Sequence, residues 1–250
     1  MQSNNPLVSI IIPTYNCEEY IEQTIQSVLL QTYIHWEMII IDDASQDNSL
    51  KIINKYLEQD KRIKLIINKK NIGVAQSRNT GIKVSSGDYI ALLDSDDIWF
   101  PRKLEKQIKL MQKKGIFMSY CSYNIINEEG HNINCFQVKS KITYKDMLKT
   151  SIIGTLTTIY NAKELGKFYF MDIGHEDYVF KLQILKNIPY AEGINESLAS
   201  YRITPRSLSS NKIKSALWQW NIYRKIEKIS FLQSIYYFFN YIYHGFFKYK

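Results

Sequence analysis

The sequence predicts an α/β fold built on a single, mainly parallel sheet with helices on both faces. Three observations carry that prediction. Strand-like runs alternate with segments of helical spacing over residues 7–93. The runs are apolar at consecutive positions rather than alternate ones, as in strands buried on both faces. Each of three runs stops at polar residues, and the carboxyl ends of strands in open α/β sheets are where ligands bind.

The elements follow in order. Residues 7–12, rich in Val and Ile, form the first expected strand, which Pro13-Thr14-Tyr15-Asn16 ends. A helix should follow, with Glu18 and Glu19 suited to its first turn, Asn16 placed to cap it, and Ile21, Ile25, Val28 and Leu29 on one face. Residues 36–41 read as a second strand, stopped by Asp42-Asp43. Residues 45–58 then read as helix, 63–67 as strand, 74–84 as helix and 89–93 as the strand that ends at Asp94-Ser95-Asp96-Asp97. Right-handed crossovers make such a series a parallel sheet. Past Pro101 a basic helix is expected over residues 102–113, a strand over 116–126 and a polar loop over 127–134. The alternation then weakens, which predicts a mixed region with antiparallel strands. Gly73 and Gly81 fit turn and helix-packing roles, because neither phosphate-loop glycine pattern is present.

Composition narrows the partners. The 250 residues suffice for one sizeable domain with a tail, and a formal charge of +8 points to something anionic. A nucleoside diphosphate, a membrane lipid and a nucleic acid all qualify. Nucleic acid is the weakest, since the lysines are scattered and no zinc-finger or RRM-type motif is present. Cys17, Cys121 and Cys135 are an odd number without paired metal spacing, which fits small buried residues in a reducing compartment. No charged segment followed by a long apolar run opens the chain, and no run of about 18 apolar residues is present. A cytoplasmic protein is therefore expected.

Asp94 and Asp96 are separated by one residue at the end of a buried strand, where they offer hard oxygen ligands to Mg²⁺ or Mn²⁺. Such an ion holds a nucleoside diphosphate and neutralises its charge as it departs. Taken alone, Asp-x-Asp also suits a solvated turn or a helix start. The other strand ends add Pro13, Tyr15, Asp43 and Arg78: an aromatic face for a base, a carboxylate for a ring N–H and a guanidinium for phosphate.

These segments together, Val8-Ser9-Ile10-Ile11-Ile12-Pro13-Thr14-Tyr15-Asn16, Asp42-Asp43-Ala44-Ser45, Asn71-Ile72-Gly73-Val74-Ala75-Gln76-Ser77-Arg78-Asn79 and Leu93-Asp94-Ser95-Asp96-Asp97, resemble the family 2 glycosyltransferases over residues 7–210. Within that family the chain is similar to bacterial enzymes of cell-surface polysaccharide assembly, of the teichuronic-acid, O-antigen and capsule type. The resemblance implies a GT-A fold, a nucleotide-sugar donor such as a UDP-sugar, a divalent metal (Mn²⁺ or Mg²⁺) and inversion at the anomeric carbon. It also implies roles. Pro13, Tyr15, Asp43, Arg78, Asp94, Ser95, Asp96 and Arg202 would bind the nucleotide sugar, with Tyr15 on the base and Asp43 on its ring nitrogen. Asp96 and Asp94 would hold the metal. Single displacement also needs a base for the acceptor hydroxyl. Gly174-His175-Glu176-Asp177 resembles the family's Glu-Asp motif, giving Asp177 that role and Glu176 acceptor binding. Adjacent acids also mark ordinary helix starts, and His175 reads more simply as a structural residue than as a proton shuttle. The segment Tyr201-Arg202-Ile203-Thr204-Pro205-Arg206-Ser207-Leu208-Ser209 resembles a loop that closes over the diphosphate, its alternative being a solvated basic loop.

The expected organisation is a catalytic domain over residues 1–210, divided into a nucleotide-sugar half (7–100) and an acceptor half (101–210), with a basic aromatic tail over 211–250. Residues 231–250 contain ten aromatic residues and no acid. They read as an interfacial helix seated on anionic lipid, or else as aromatics packed on the domain or in a dimer contact. The first reading places the protein peripherally at the inner face of the cytoplasmic membrane and suits a glycan acceptor on a polyprenyl diphosphate or other lipid. A catalytically silent sugar-nucleotide- or membrane-binding subunit and a sugar-1-phosphate nucleotidyltransferase are the rival functions, the latter weakened by the missing glycine-rich loop.

Overall fold

The computed structural model describes residues 5–203 and 212–247. Its centre is a sheet whose strand order is β3-β2-β1-β4-β9-β6-β10-β5, with β7 paired to β6 and β8 to β10. The four strands of the amino-terminal half are β1 (Val8–Thr14), β2 (Trp36–Asp42), β3 (Ile63–Ile67) and β4 (Tyr89–Leu92). All are parallel, linked by α1 (Ile21–Leu29), α2 (Ser49–Gln59) and α3 (Val74–Val84). The carboxyl-terminal half is mixed, as expected. It has β5 (Ile98–Trp99), α4 (Lys103–Lys114), β6 (Met118–Ile126), β7 (Asn132–Phe136), β8 (Lys141–Ile142), α5 (Tyr144–Lys149), β9 (Ile159–Asn161), α6 (Ala162–Leu165), α7 (Glu176–Leu185) and β10 (Ala191–Arg202). β9 runs antiparallel between β4 and β6, whereas β10 runs parallel to β6.

Side chains on successive strand residues enter opposite layers. Ile11 joins the core under α3 and α7, and Ile10 and Ile12 join the core under α1, α2 and α4. That explains the unbroken apolar runs. Gly81 of α3 lies flush against the sheet: a Cβ there would stand 2.6 Å from Ile41 Cδ1. Gly73, at φ 87°, opens α3 in a turn only glycine adopts freely.

Several expectations change in detail. β1 continues through Pro13 to Thr14 rather than ending before them. Leu93 N donates to Ile11 O, so odd residues of β1 face β4, and Pro13 removes a donor where that ladder stops. The two strands therefore part at the carboxylate turn. Asn16 caps no helix: it sits in left-handed backbone, φ 47°, and its Oδ1 accepts from Gln46 N, tying the first strand-end loop to the second. The loop expected over 127–134 becomes a turn and the edge strand β7, which leaves Cys135 exposed while Cys17 and Cys121 are buried.

At the amino ends of the strands, buried Glu37 ties β2 to its neighbours. Its Oε1 accepts from Ser9 Oγ at 2.5 Å and Ser86 N at 2.7 Å, and its Oε2 from Lys64 Nζ at 2.6 Å. Burial opposes its ionisation, but Lys64, Ser9 and Ser86 outweigh this and lower its pKa to about 2. Such a depressed group stabilises the fold above its unfolded value, and that stability is lost as pH falls through the folded value. Glu37→Gln is expected to cost about 2–3 kcal/mol at pH 7. The gap from wild type should close between pH 4.5 and about 2 in urea titrations. A pH-independent difference would contradict this account.

The carboxyl-terminal helices α8 (Lys212–Asn221) and α9 (Phe231–Phe247) flank a π-helical turn, Ile222–Ile226. Ile222 and Tyr223 enter the same core as α7, and Tyr223 OH donates to Leu148 O at 2.6 Å. The inner face of α9 sets Tyr237 and Phe238 against that core. Its outer face exposes Leu232, Tyr236, Phe239 and Tyr243, spaced at one helical stripe. The packing of the inner face agrees with the reading of aromatics packed on the domain, and the outer face is bare. Arg206, Lys248 and Lys250 lie outside the described residues.

Candidate active site

Parallel strands deliver their carboxyl ends to one edge, and there the structure gathers Tyr15, Asp43 and the turn Asp94–Asp97. Tyr15 is half exposed, leaving a ring face open to solvent. Asp43 is buried: Oδ1 accepts from Ile72 N and Asn68 Nδ2, and Oδ2 from Gly73 N at 2.8 Å. In this structure that carboxylate shapes the 68–73 loop ahead of α3. Pro13, inside β1, is buried as well.

The carboxylate turn is gripped from two sides. From α1, Thr24 Oγ1 donates to Ser95 O at 2.8 Å and Asp97 O at 2.9 Å, and from the loop before it Cys17 Sγ reaches Ser95 O. From β10, Arg202 donates through Nε to Asp96 O at 3.0 Å and through its backbone N to Asp97 Oδ1. Its other nitrogens serve Asn127 O, Glu128 O and Gln23 Oε1, and its guanidinium lies over the Tyr20 ring. This differs from the phosphate-binding loop role expected for Arg202. The residue is 2% exposed, and β10 ends on it, so its donors are spent on the 94–97 turn, on the 127–128 backbone and on Gln23.

Arg78 also departs from expectation. Rather than standing open to a diphosphate, its guanidinium is buried between two carboxylates, with Nη2 on Asp94 Oδ1 at 2.5 Å and Nη1 on Glu176 Oε1 at 3.3 Å. Burial works against its charge, but Asp94, Glu176 and Asp177 raise its pKa. It is the bridge that brings residue 94 to residue 176, a pairing no local pattern announces.

The acids at the start of α7 differ in character. Asp177 Oδ2 accepts from Lys181 Nζ at 2.7 Å and Thr155 Oγ1 at 3.1 Å, and its side chain is 33% exposed. Burial opposes its charge, yet Lys181, Arg78 and His175 hold its pKa well below the usual carboxylate range. Glu176 goes the other way, raised by burial and by Asp177. Lys181 and Thr155 escaped the sequence reading. The i, i+4 spacing of Asp177 and Lys181 on one helix was a usable signal, but nothing local marks Thr155.

Asp96 sits in a crowded, negative setting. Burial and the neighbouring Asp94 raise its pKa to about 6, against the pull of Arg202 and Arg78. Beside it Asp97 Oδ2 is buried with no hydrogen-bond partner, and burial and Asp96 push that carboxyl up as well. Such a cluster is short of positive charge, so its residues fit a divalent ion. Among the described residues no three His, Cys, Asp or Glu side chains group to hold one. Asp94 and Asp96 would supply the protein's share, as suits an ion that takes its other ligands from water and phosphate.

A mainly parallel sheet with a carboxylate turn at its strand ends and a second acid pair tied to that turn through Arg78 is the architecture of the GT-A class of glycosyltransferases. The model of glycosyl transferase family 2 matches residues 9–161, and the chain belongs to that family. The putative teichuronic acid biosynthesis glycosyltransferase TuaG of Bacillus subtilis is 39% identical over 96% of both chains. The Escherichia coli UDP-Glc:alpha-D-GlcNAc-diphosphoundecaprenol beta-1,3-glucosyltransferase WfgD is 42% identical over 94% of this chain and 92% of its own. Among solved structures, S. aureus TarS 1-349 in complex with UDP-GlcNAc superposes with a TM-score of 0.71 at 20% identity, covering 86% of this chain and 64% of that one. The mannosyltransferase PcManGT of Pyrobaculum calidifontis, in complex with GDP-Man and Mn²⁺, gives 0.68 at 18% identity, covering 91% and 66%. At those identities the two structures attest to the fold.

Proposed function

We propose that this glycosyltransferase moves a sugar, with inversion, from a UDP-sugar to a hydroxyl of a lipid-diphosphate-linked glycan. The observation that carries the reading is the joining of Asp94 to Glu176 through Arg78, which sets a donor-side carboxylate turn against an acceptor-side acid pair. The relative named for UDP-Glc and GlcNAc-diphosphoundecaprenol supports the substrate class.

Asp94 and Asp96 would hold Mn²⁺ or Mg²⁺, whose charge stabilises the leaving diphosphate. Tyr15 would lie on the base. Glu176, fixed by Arg78, would orient the acceptor sugar through its free oxygen. Asp177 would take the acceptor proton. With Oδ2 held by Lys181 and Thr155, its Oδ1 is left for the hydroxyl, and Lys181 keeps it ionised at neutral pH. A weak base suffices because the hydroxyl grows acidic as its oxygen bonds to carbon. The acceptor's lipid would be met at a membrane surface by the bare stripe of α9. Residues 212–250 hold seven basic side chains and one acid, Glu227, which is buried against Lys186. No helix among the described residues is long and apolar enough to cross a membrane.

The test is transfer by the full chain with Mn²⁺, UDP-Glc or other UDP-sugars, and a synthetic GlcNAc-diphospho-lipid. A disaccharide-lipid of inverted linkage is expected, together with sedimentation on anionic but not neutral vesicles. Absence of donor binding by calorimetry for every UDP-sugar would overturn the donor assignment. Equal partition to both vesicle types would overturn the lipid-surface role.

A further inference from the structure

The backbone just before the acid pair is held by the tail. Gly174 lies flush against the Trp218 indole of α8: a Cβ at 174 would stand 2.1 Å from Trp218 Cδ2. The next residue, His175, is the N-cap of α7 in left-handed backbone, φ 60°. A side chain rarely adopts that conformation unless its surroundings impose it. What surrounds it is α8. His175 Nε2 lies 3.2 Å from Ser215 O, which requires that nitrogen to carry the proton, and the imidazole stands edge-on to Trp218 at 5.3 Å. One turn on, Gln219 is buried beside Tyr178 of α7 and Tyr223. Glu176 and Asp177 thus lie between two residues, 175 and 178, that the tail holds.

We propose that Trp218 is a positioning residue for transfer: by clamping Gly174 and His175 it sets the direction in which Glu176 and Asp177 leave the first turn of α7. The tail is then part of the catalytic apparatus and not only an anchor. The inference rests on the reading of Asp177 as base. A displacement of the base by about 1 Å is enough to cost on the order of 100-fold in rate. The 94–97 turn, where the donor would be recognised, keeps supports of its own in Thr24 and Arg202, so donor recognition should lose far less than transfer.

The experiment is a double-mutant cycle on the full chain with the synthetic GlcNAc-diphospho-lipid and the UDP-sugar that wild type uses. Trp218→Ala is expected to lower kcat about 10- to 100-fold with the donor KM within about twofold, and Trp218→Phe to restore most of it. Gly174→Ala should lose a similar amount by wedging the indole outward. In the Trp218→Ala background it should lose little more, because the clash has gone. Wild-type kcat in Trp218→Ala, or losses that multiply in the double variant, would overturn the proposal. Trp218→Leu replaces the alanine variant if the latter does not fold. Amide exchange supplies a readout independent of turnover: the Tyr178 and Val179 amides, both bonded to His175 O, should lose protection in Trp218→Ala while α4 keeps its own, and unchanged protection would also overturn it. Asp177→Asn run alongside separates the two readings. Full activity there would remove the base assignment, whereas an inactive Asp177→Asn beside a fully active Trp218→Ala removes only the clamp.

Discussion

Asp177→Asn is expected to abolish detectable transfer, a loss on the order of 10²–10⁴-fold, while UDP-sugar binding stays within a few-fold of wild type. The asymmetry follows from placement. Asp177 is at the start of α7, tied to Lys181 and Thr155, whereas the donor-side carboxylates sit on the 94–97 turn. Asparagine keeps an acceptor oxygen for Lys181 and removes the capacity to take a proton. Because Lys181 is nearly wholly buried, losing its partner's charge should also lower the melting temperature by several degrees. Lys181→Met separates orientation from basicity. Without the ammonium, Asp177 returns toward an ordinary carboxylate pKa, so an acid limb absent from wild type should appear in the rate profile between about pH 4 and 6. Transfer by Asp177→Asn at more than a tenth of the wild-type rate would move the base elsewhere, Glu176 being the next candidate because its pKa is raised.

Asp96→Asn is expected to remove metal-dependent donor binding, by about 100-fold or more, and yet to stabilise the protein without ligands. Its carboxyl pKa is raised to about 6 by burial and by Asp94. A raised acid favours the fold in its neutral form. The penalty for ionising it is absent below the unfolded value, near 4, and is fully present above about 6. At pH 7.5 the neutral asparagine should therefore be worth about 1–2 kcal/mol, or a few degrees in Tm, and the gain should vanish near pH 4. Adding Mn²⁺ and UDP should reverse the ranking, because only wild type can use its extra charge. Calorimetry and thermal melts over pH 4–8 read both effects. Equal metal dependence of donor binding in the variant would dismiss Asp96 as a ligand.

These two carboxylates show how unevenly a sequence discloses a site. Asp94 and Asp96 were legible because a buried strand stopped at them, and strand ends are read from a local change of hydropathy. The alternating half was equally plain, with 63–67 and 74–84 matching β3 and α3 to the residue, although β3 is an edge strand that exposes Lys64. The helix expected over 102–113 and the strand over 116–126 also meet α4 and β6, and the reading blurred at the shortest strands. β5 is two residues long and β9 three, too short to show a period, and each exists through its partner in the sheet.

Charged residues were the least readable. Arg78 and Arg202 each looked like a phosphate ligand, because a guanidinium's five donors suit phosphate as well as they suit a carboxylate or a carbonyl. Only packing decided that the first joins Asp94 to Glu176 and the second holds the backbone of the 94–97 turn. The tail divides the same way. Its aromatic composition announced an apolar surface, and the helix period then assigned one stripe to Tyr237 and Phe238 inside and another to Leu232 and Phe239 outside. The sequence by itself determined the parallel half of the sheet, through residue type and short-range period, and, through motifs that resemble a known family, the family and the candidate site acids. Which donor meets which acceptor, and that Trp218 closes on Gly174, was decided by the tertiary structure, because contacts between residues 40 to 100 positions apart are set by how the layers pack.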